Sequence, residues 1–290
     1  MKKYFFVAVI TLLTFVMVLL TSSLHNVNAR LSLYVFGDSL SDVGNMYRAT
    51  TGSYPPNPPY FQGRYSNGQV WVEYLASKLA LNAKQSVNFA YGGATTGKVN
   101  SNGIPGLLGQ VEKFTSQLDA NDNALYLVWA GANDYIYGTA NSTAPVTNIT
   151  QAIESLLNAG AKKILVANLP DLGNLPATRN NASSQFLSAV TTAHNQGLAK
   201  SLSQLRQKLD SQSQILELDM SSLYQDAISN PTKYGFTNVS SACLNQGATC
   251  SNPDEFLFWD GIHPTTAAHK IIAENALTAL NSLELQRGAA

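Results

Sequence analysis

Five short apolar segments alternate along this chain with longer segments of helical periodicity. The apolar segments are residues 31–36, 86–90, 124–130, 164–167 and 215–218. The helical segments are residues 70–79, 107–118, 149–157, 184–209 and a last one that starts near residue 265 and has apolar positions on one face as far as Leu283. Short apolar strands that alternate with helices are typical of a parallel sheet covered on both faces. The sequence therefore predicts an α/β fold, a three-layer α/β/α sandwich.

The first 29 residues have the pattern of a secretory signal peptide. Lys2 and Lys3 precede an apolar run over residues 4–20, and the polar stretch that follows ends in Ala29. We expect cleavage there and a single exported domain over residues 30–290. The alternative is an uncleaved anchor, for which the apolar run is short. Without the two lysines, the 18 acidic residues slightly outnumber the remaining basic ones, and no basic patch predicts binding to nucleic acid.

Ser39 follows the first apolar strand, in the segment 34–42, YVFGDSLSD. The strand stops at Gly37, so Ser39 is expected on a turn at the carboxyl end of the strand. In open α/β sheets that edge is where ligands bind. Ser39 is therefore a candidate nucleophile. The alternative is that Ser39 or Asp38 caps the next helix.

A proline-rich segment, residues 54–61 (YPPNPPYF), follows. Its proline density excludes a helix or a central strand. We expect either a rigid loop whose aromatic side chains pack on the body of the protein, or one wall of an apolar substrate pocket near Ser39. The two interpretations are compatible.

Two further strands end in groups that can donate hydrogen bonds. One is the glycine pair at residues 92–93, where a backbone N–H can approach a substrate without a Cβ in the way, and the other is the Asn133 side-chain amide. Together with the Ser39 N–H, the Gly93 N–H and the Asn133 amide would form an oxyanion hole of three donors, as acyl transfer requires. The structural alternatives are glycines that serve tight turns and an asparagine that caps a helix.

A general base is needed because a serine hydroxyl is a weak nucleophile without one. His263 lies in a loop before the last helix, and Asp260 lies three residues upstream, so one loop can supply both the base and the carboxylate that orients it. The alternative is a capping loop with a structural histidine. His194 and His269 fall inside helical patterns and are expected to be surface or packing residues.

These segments, in this order, resemble the four sequence blocks of the GDSL or SGNH hydrolase superfamily. The blocks correspond to GDSL at residues 37–40, Gly93, Asn133 and DGIH at residues 260–263. Gly93 is preferred to Gly92 because the following Ala-Thr-Thr aligns best with the second block. No Gly-x-Ser-x-Gly motif is present, which argues against an α/β-hydrolase.

The segments FGDSLSDVGN (36–45), PPYF (58–61), GRYSNG (63–68), NLPDLG (168–173) and WDGIHPTT (259–266) further resemble the bacterial branch of that superfamily. That branch contains secreted phospholipases A, lysophospholipases and glycerophospholipid–cholesterol acyltransferases. The resemblance implies a five-stranded, flavodoxin-like parallel sheet of order 2-1-3-4-5. It also implies a serine esterase that acts on lipids or lysophospholipids, with a membrane surface as a candidate partner, and without metal or organic cofactor.

Three alternatives to a lipid hydrolase remain open from the sequence. One is transfer of the acyl group to a sterol, which is disfavoured because the loop between Cys243 and Cys250 is shorter than the insert that related acyltransferases often carry. The second is a carbohydrate or acetyl esterase of the same fold. The third, of a different class, is a non-catalytic surface-binding module, against which the complete set of serine, glycine, asparagine, aspartate and histidine argues. The sequence makes no prediction about the oligomeric state.

Cys243 and Cys250 lie in a polar loop, and in an exported protein such a pair predicts a disulfide. One interpretation is a small ring that only stabilises the segment leading to Asp260 and His263. The other, supported by a disulfide-closed loop in related acyltransferases, is a tethered loop that gates lipid entry beside Ser39.

Overall fold

The structure is a computed structural model that describes residues 31–100, 102–118, 120–138 and 143–288, with side chains as far as residue 282. The predicted signal peptide, residues 1–29, lies outside the described residues. Five parallel strands form one sheet, and they are β1 (Ser32–Gly37), β2 (Ser86–Asn88), β3 (Ala124–Trp129), β4 (Lys163–Ala167) and β5 (Gln214–Leu218).

The strand order in this sheet is β2-β1-β3-β4-β5. Both the predicted strands and the flavodoxin-like order are therefore confirmed. The central strand β3 is buried along its whole length, because the sheet has a layer of helices on each face. Strand β2 lies on one side of β1, and β3, β4 and β5 are added in turn on the other side. The direction in which strands are added to the sheet therefore reverses between β1 and β3. Such a reversal opens a crevice at the carboxyl edge of the sheet.

Eight α-helices are described, together with three short 3₁₀ turns. The helices are α1 (Asn45–Ala49), α2 (Trp71–Lys78), α3 (Leu107–Gln117), α4 (Ala132–Ile136), α5 (Thr143–Asn158), α6 (Ser184–Arg206), α7 (Met220–Ser229) and α8 (Thr266–Gly288). Helices α3, α5 and α6 pack against one another on one face of the sheet, and α2 and α8 pack together on the other. The three-layer prediction is confirmed.

Two different cores fill the spaces between the layers. Phe36, Phe114 and Tyr126 belong to the core under α3, α5 and α6. On the opposite face, Trp71 of α2 meets Trp129 of β3 edge-on, with ring centroids 5.9 Å apart. Side chains on successive residues of a strand point to opposite faces, which is why β3 supplies both cores.

The last helix differs in part from its prediction. Ala268, Ile272 and Ala276 are buried as expected, whereas Ile271, Ala279 and Leu280 are only half-buried. Its main partner, α2, has eight residues, so the later turns of α8 extend beyond the surface that could cover them. The side chain of Leu283 lies outside the described residues.

The segment between α7 and α8 forms two small ladders. They consist of β6 (Asn238–Ala242) paired with β9 (Phe256–Phe258), and β7 (Leu244–Asn245) paired with β8 (Ala248–Thr249). A disulfide between Cys243 and Cys250 closes the β7–β8 hairpin. The N–H groups of Cys243 and Leu244 donate to the carbonyls of Phe258 and Trp259, so the hairpin is bonded to the strand just before Asp260. No helix in the described part of the chain is long and apolar enough to cross a membrane.

Candidate active site

Ser39 lies on a tight turn immediately after β1. Gly37 has φ +152°, and a Cβ there would lie 2.1 Å from the Trp129 carbonyl oxygen, so the chain can pass β3 this closely only with glycine. The Gln110 side chain binds Gly37 on both sides, accepting from its N–H and donating to its carbonyl. These contacts end the strand at a defined point and present Ser39 at the carboxyl edge of the sheet.

The structure brings Ser39, His263 and Asp260 into one chain of hydrogen bonds. The distance from Ser39 Oγ to His263 Nε2 is 2.8 Å, and the distance from His263 Nδ1 to Asp260 Oδ2 is also 2.8 Å. An ionised carboxylate only accepts hydrogen bonds, so His263 Nδ1 carries the proton and Nε2 is free to accept from the serine hydroxyl. This tautomer is the one a general base requires.

The loop that carries His263 is built around the Asp260 carboxylate. Asp260 Oδ1 accepts from the N–H groups of Ile262 and His263 at 2.8 and 2.7 Å. The Trp259 N–H donates to the His263 carbonyl, and Ser66 Oγ donates to the Pro264 carbonyl from the opposite end of the sequence. The imidazole is thus oriented by the backbone as well as by its own hydrogen bond.

The electrostatics of this pair favour charge separation. Burial alone would raise the pKa of the Asp260 carboxyl, but the His263 imidazole and the hydrogen bonds to the carboxylate hold it well below its usual range. Burial alone would lower the pKa of His263, but Asp260, and to a lesser extent Asp38, raise it above its ordinary value. Asp260 is therefore an anion beside His263 at neutral pH and stabilises an imidazolium there.

The two glycines at residues 92–93 have different environments. The Gly92 N–H donates to Asp42 Oδ2 at 2.8 Å, so it is already occupied. Gly93 has a left-handed φ of +76° with open space where a Cβ would be, and its N–H has no acceptor among the described residues. Of the pair, Gly93 is the one with a donor available to a substrate.

Asn133 lies in the first turn of α4 and is buried. Its amide nitrogen donates to the Ala94 carbonyl at 2.9 Å, which uses one of its two N–H bonds and leaves the other. The alternative role as a helix cap is wrong, because Gly131 occupies the cap position. The Ser39 N–H also has no acceptor among the described residues. Three unused donors, on Ser39, Gly93 and Asn133, thus belong to residues that line the same cavity.

The cavity beside Ser39 and His263 has a volume of about 630 Å³. Its lining includes the apolar or aromatic side chains of Met46, Tyr54, Tyr65, Ile104 and Tyr137. None of its described lining residues is Lys, Arg, Asp or Glu. The cavity therefore suits an uncharged, partly apolar ligand group.

The proline-rich loop both packs on the body of the protein and contributes to the wall of the cavity. Tyr54 lines the cavity, whereas Tyr60 packs edge-on against Trp259 and donates to Asp260. The disulfide hairpin, by contrast, contributes no residue to the cavity lining.

The sequence predicted no individual role for Tyr60, Tyr65 or Asp42. The Tyr65 ring lies 5.1 Å from the His263 ring, and its buried hydroxyl has no partner among the described residues. The Asp42 carboxylate accepts from four backbone N–H groups, including that of Gly92, and so ties the Ser39 turn to the glycine pair. The available signals were the segment GRYSNG (63–68) for Tyr65 and the segment FGDSLSDVGN (36–45) for Asp42.

The other two histidines of the described chain are packing residues. His194 is fully buried and bonded to the Tyr135 hydroxyl at 2.9 Å, and His269 accepts from the Trp71 N–H at 3.2 Å. Neither touches Ser39. Burial lowers the pKa of His194 to about 4 and that of His269 to about 3. Among the described residues, no three His, Cys, Asp or Glu side chains are grouped as a metal site would require.

Comparison with known proteins gives the family. The model of the GDSL-like lipase/acylhydrolase family matches residues 33–276. This chain belongs to that family. Among similar proteins, the phosphatidylcholine-sterol acyltransferase of Aeromonas hydrophila is 28% identical to this GDSL hydrolase, over 86% of this chain and 90% of that protein. The thermolabile hemolysin of Vibrio parahaemolyticus is 29% identical, over 85% of this chain and 63% of the hemolysin.

Solved structures share the fold of this GDSL hydrolase at low sequence identity. The aryl esterase of M. smegmatis superposes with a TM-score of 0.54 and 17% identity, covering 88% of this chain and 100% of the esterase. The carbohydrate acetylesterase Est24 of Sinorhizobium meliloti superposes with a TM-score of 0.52 and 15% identity, covering 88% of this chain and 100% of the acetylesterase. The protein is a GDSL-type serine hydrolase that acts on carboxylic ester bonds, and not a non-catalytic binding module.

Proposed function

We propose that this protein is a secreted serine esterase that hydrolyses acyl esters of lipids, of the lysophospholipase or phospholipase A type. The observation that carries the proposal is the hydrogen-bonded chain from Ser39 through His263 to Asp260, with Ser39 and His263 on the wall of the cavity. Nucleophile, base and orienting carboxylate are the groups that acyl transfer to a serine needs.

In the first half of the proposed reaction, Ser39 becomes acylated. Ser39 Oγ attacks the ester carbonyl carbon while His263 Nε2 takes the hydroxyl proton, and Asp260 stabilises the resulting imidazolium. The tetrahedral intermediate collapses as His263 returns that proton to the departing alcohol oxygen. The products are a free alcohol, such as a lysolipid or glycerol head group, and an acyl-Ser39 ester.

In the second half, water replaces the alcohol. His263 Nε2 takes a proton from the water as its oxygen attacks the acyl carbonyl, and then returns the proton to Ser39 Oγ. A fatty acid leaves and the serine is regenerated. In both halves, the oxyanion is held by the N–H groups of Ser39 and Gly93 and by the second amide N–H of Asn133. Donors already oriented toward the developing charge are the main source of rate in such sites.

A lipid acyl chain is the substrate group that the cavity chemistry favours. The described lining has no side chain with a formal charge other than a protonated His263, and two of its tyrosines, Tyr54 and Tyr137, are 52% and 72% exposed. Large exposed aromatic side chains are suited to contact with a lipid surface. The relative that is a phosphatidylcholine-sterol acyltransferase supports the same substrate class and makes transfer to a sterol hydroxyl, in place of water, the second candidate.

Export is proposed from the signal-peptide pattern of residues 1–29. Relatives that include a thermolabile hemolysin and a secreted effector protein are consistent with a protein that acts outside the cytosol. N-terminal sequencing of protein recovered from the culture medium tests this, with Arg30 expected as the first residue. An intact N-terminus on the recovered protein would contradict cleavage.

A fluorophosphonate probe tests the nucleophile directly, because it reacts with activated serines. The wild-type protein should be labelled at Ser39, and Ser39→Ala should lose both labelling and ester hydrolysis by several orders of magnitude while retaining its melting temperature. Ser41→Ala is the matched control, since the Ser41 hydroxyl is buried against Trp71 and outside the cavity. A folded Ser39→Ala variant with wild-type hydrolysis would refute the assignment.

A substrate series separates the candidate activities. Rates are compared for p-nitrophenyl acetate, long-chain p-nitrophenyl esters and lysophosphatidylcholine, the last with and without cholesterol in the vesicles. A preference for lysophosphatidylcholine with fatty acid as the product supports the lipid hydrolase. Cholesteryl ester as the main product favours the acyltransferase, and a preference for acetate esters favours an acetyl esterase.

A further inference from the structure

The Asp260 carboxylate accepts a hydrogen bond that the Ser39–His263–Asp260 chain alone does not require. The Tyr60 hydroxyl donates to Asp260 Oδ2 at 2.7 Å, and this is the same oxygen that accepts from His263 Nδ1 at 2.8 Å. Oδ1 accepts from the N–H groups of Ile262 and His263. Each oxygen of the carboxylate therefore accepts from two donors, and the negative charge of the carboxylate is shared among four hydrogen bonds.

Tyr60 is held in place independently of Asp260. Its ring lies edge-on to the rings of Trp259 and Tyr65, with centroids 6.4 and 6.3 Å away, and its N–H donates to the Pro56 carbonyl. Burial, followed by the charge of Asp260, raises the pKa of the Tyr60 phenol far above its usual value. The hydroxyl therefore keeps its proton, and acts as a donor, throughout the working pH range.

We propose that Tyr60 is a positioning residue for the reaction: its hydroxyl fixes Asp260 Oδ2 opposite His263 Nδ1 and withdraws part of the carboxylate charge from the imidazole. This inference rests on the proposed function of Ser39, His263 and Asp260. Tyr60 is not among the residues that line the cavity, so it acts through Asp260 and not on the substrate.

The physical consequence concerns the basicity of His263. A donor on the carboxylate stabilises its negative charge, and hydrogen bonds to charged groups are among the stronger ones in proteins. Removal of that donor leaves more charge facing the imidazole, so the imidazolium is stabilised and the pKa of His263 rises. It also removes one of the two donors that orient Oδ2. The first effect makes His263 more readily protonated, and the second leaves it less well oriented toward Ser39, so we expect turnover to fall.

Other titratable groups face this pair and must stay unchanged in the comparison. Those that interact electrostatically with His263, Asp260 or Tyr60 are Asp38, Tyr54, Tyr65, Tyr137 and His269. Tyr60→Phe leaves all of them in place and removes one oxygen atom. A change in the pH profile therefore reports on the hydrogen bond to Asp260.

The test is the pH dependence of kcat/KM for p-nitrophenyl butyrate. In Tyr60→Phe, the acidic limb should move to higher pH by about half a unit to one unit, and kcat on the plateau should fall by about 3- to 10-fold while KM stays within about twofold. Tyr74→Phe is the matched control, because the Tyr74 hydroxyl bonds Thr266 at 2.7 Å and lies outside the cavity. That variant should leave the acidic limb where it is, even if its melting temperature falls.

Site-specific replacement of Tyr60 by 3-fluorotyrosine covers the case in which Tyr60→Phe does not fold. The fluorinated phenol keeps the ring and is a stronger donor, so the acidic limb should move to lower pH. An unchanged limb in the folded Tyr60→Phe variant, or in the 3-fluorotyrosine protein, would overturn the proposal. Fluorophosphonate labelling of the wild type distinguishes failure of the Tyr60 proposal from failure of the proposed function. If Ser39 is not labelled, the proposed reaction itself is refuted.

Discussion

Gly92 and Tyr65 are so close that a Cβ on Gly92 would lie 2.0 Å from the Tyr65 hydroxyl oxygen. The same tyrosine ring lies against the ring of His263. The absence of a side chain at residue 92 is therefore what allows Tyr65 to pack beside His263. At Gly93 the constraint is different: its φ is left-handed, which favours glycine, although the space around it is open.

Gly92→Ala should therefore destabilise the protein and lower its activity. The new methyl group overpacks the site, which lowers the free energy of unfolding by about 1–3 kcal/mol. Tyr65 must move, and the orientation of His263 changes with it. Urea unfolding and ester hydrolysis measure the two effects. Gly97→Ala is the control, because its Cβ would meet nothing closer than 4.0 Å. Equal stability of the two variants would contradict the packing argument.

Asn133→Ala should lower kcat by about a hundredfold or more, the scale of one oxyanion donor. KM should change much less, because the charge that the amide meets exists mainly in the transition state. Asn102→Ala is the control, since Asn102 lines the same cavity and is exposed. Steady-state kinetics on a short-chain ester distinguish the two roles. If only KM rises in Asn133→Ala, the residue binds substrate and is not an oxyanion donor.

His194 should make the fold sensitive to mild acid. Burial lowers its pKa from about 6.5 to about 4, so between these values the unfolded chain binds a proton that the folded protein excludes. The contribution of neutral His194 to stability is complete above pH 6.5 and is lost as pH falls toward 4, by roughly 3 kcal/mol in all. Urea unfolding of the wild type and of His194→Gln at several pH values measures it.

The difference in unfolding free energy between these two proteins should shrink as the pH falls from 7 to 4. Asp38, whose pKa burial raises to about 7, and His269 also titrate near this window, but they are present in both proteins and cancel in the difference. A difference that stays constant with pH would mean that His194 does not carry the effect.

Cys243→Ser/Cys250→Ser should lower stability more than activity. Closing a ring of this size stabilises the folded protein by about 2 kcal/mol, because it restricts the unfolded chain. Among the described residues, the hairpin contributes nothing to the cavity lining, and it is bonded to the sequence neighbours of Asp260 through the N–H groups of Cys243 and Leu244, which donate to the carbonyls of Phe258 and Trp259. Well below the melting temperature, lysophospholipid hydrolysis should stay within a few-fold of wild type. A loss of activity that exceeds the loss of stability would support gating by the loop instead.

The sequence was sufficient for the sheet and for the residues that follow its strands. Ser39, Gly93 and Asn133 could be proposed because the carboxyl ends of parallel strands meet at one edge, so local patterns predict a common location. Asp260 and His263 could be paired because both lie in one loop. Each of these inferences used a short stretch of chain and a general rule of α/β architecture.

Contacts between residues that are far apart in the sequence could not be predicted in this way. Tyr60 and Asp260 are 200 residues apart, and no periodicity links them. The choice between Gly92 and Gly93 depends on the direction of the Asp42 carboxylate, which follows from the packed structure. The short helix α1 and the β6–β9 ladder were not predicted either, because α1 buries no residue and β6 is mostly polar, so neither carries the apolar pattern that marked the other elements.

Ser39 and His263 are separated by 224 residues, and the helix after His263 packs on α2 near the beginning of the domain. A growing chain thus holds its serine long before it holds the base. Until residues 260–263 have packed against the sheet edge, Ser39 has no partner that could accept its proton, and a serine hydroxyl without such a partner is a weak nucleophile. Recovery of esterase activity on refolding should accordingly be among the last signals to return, since it requires the contact of longest range.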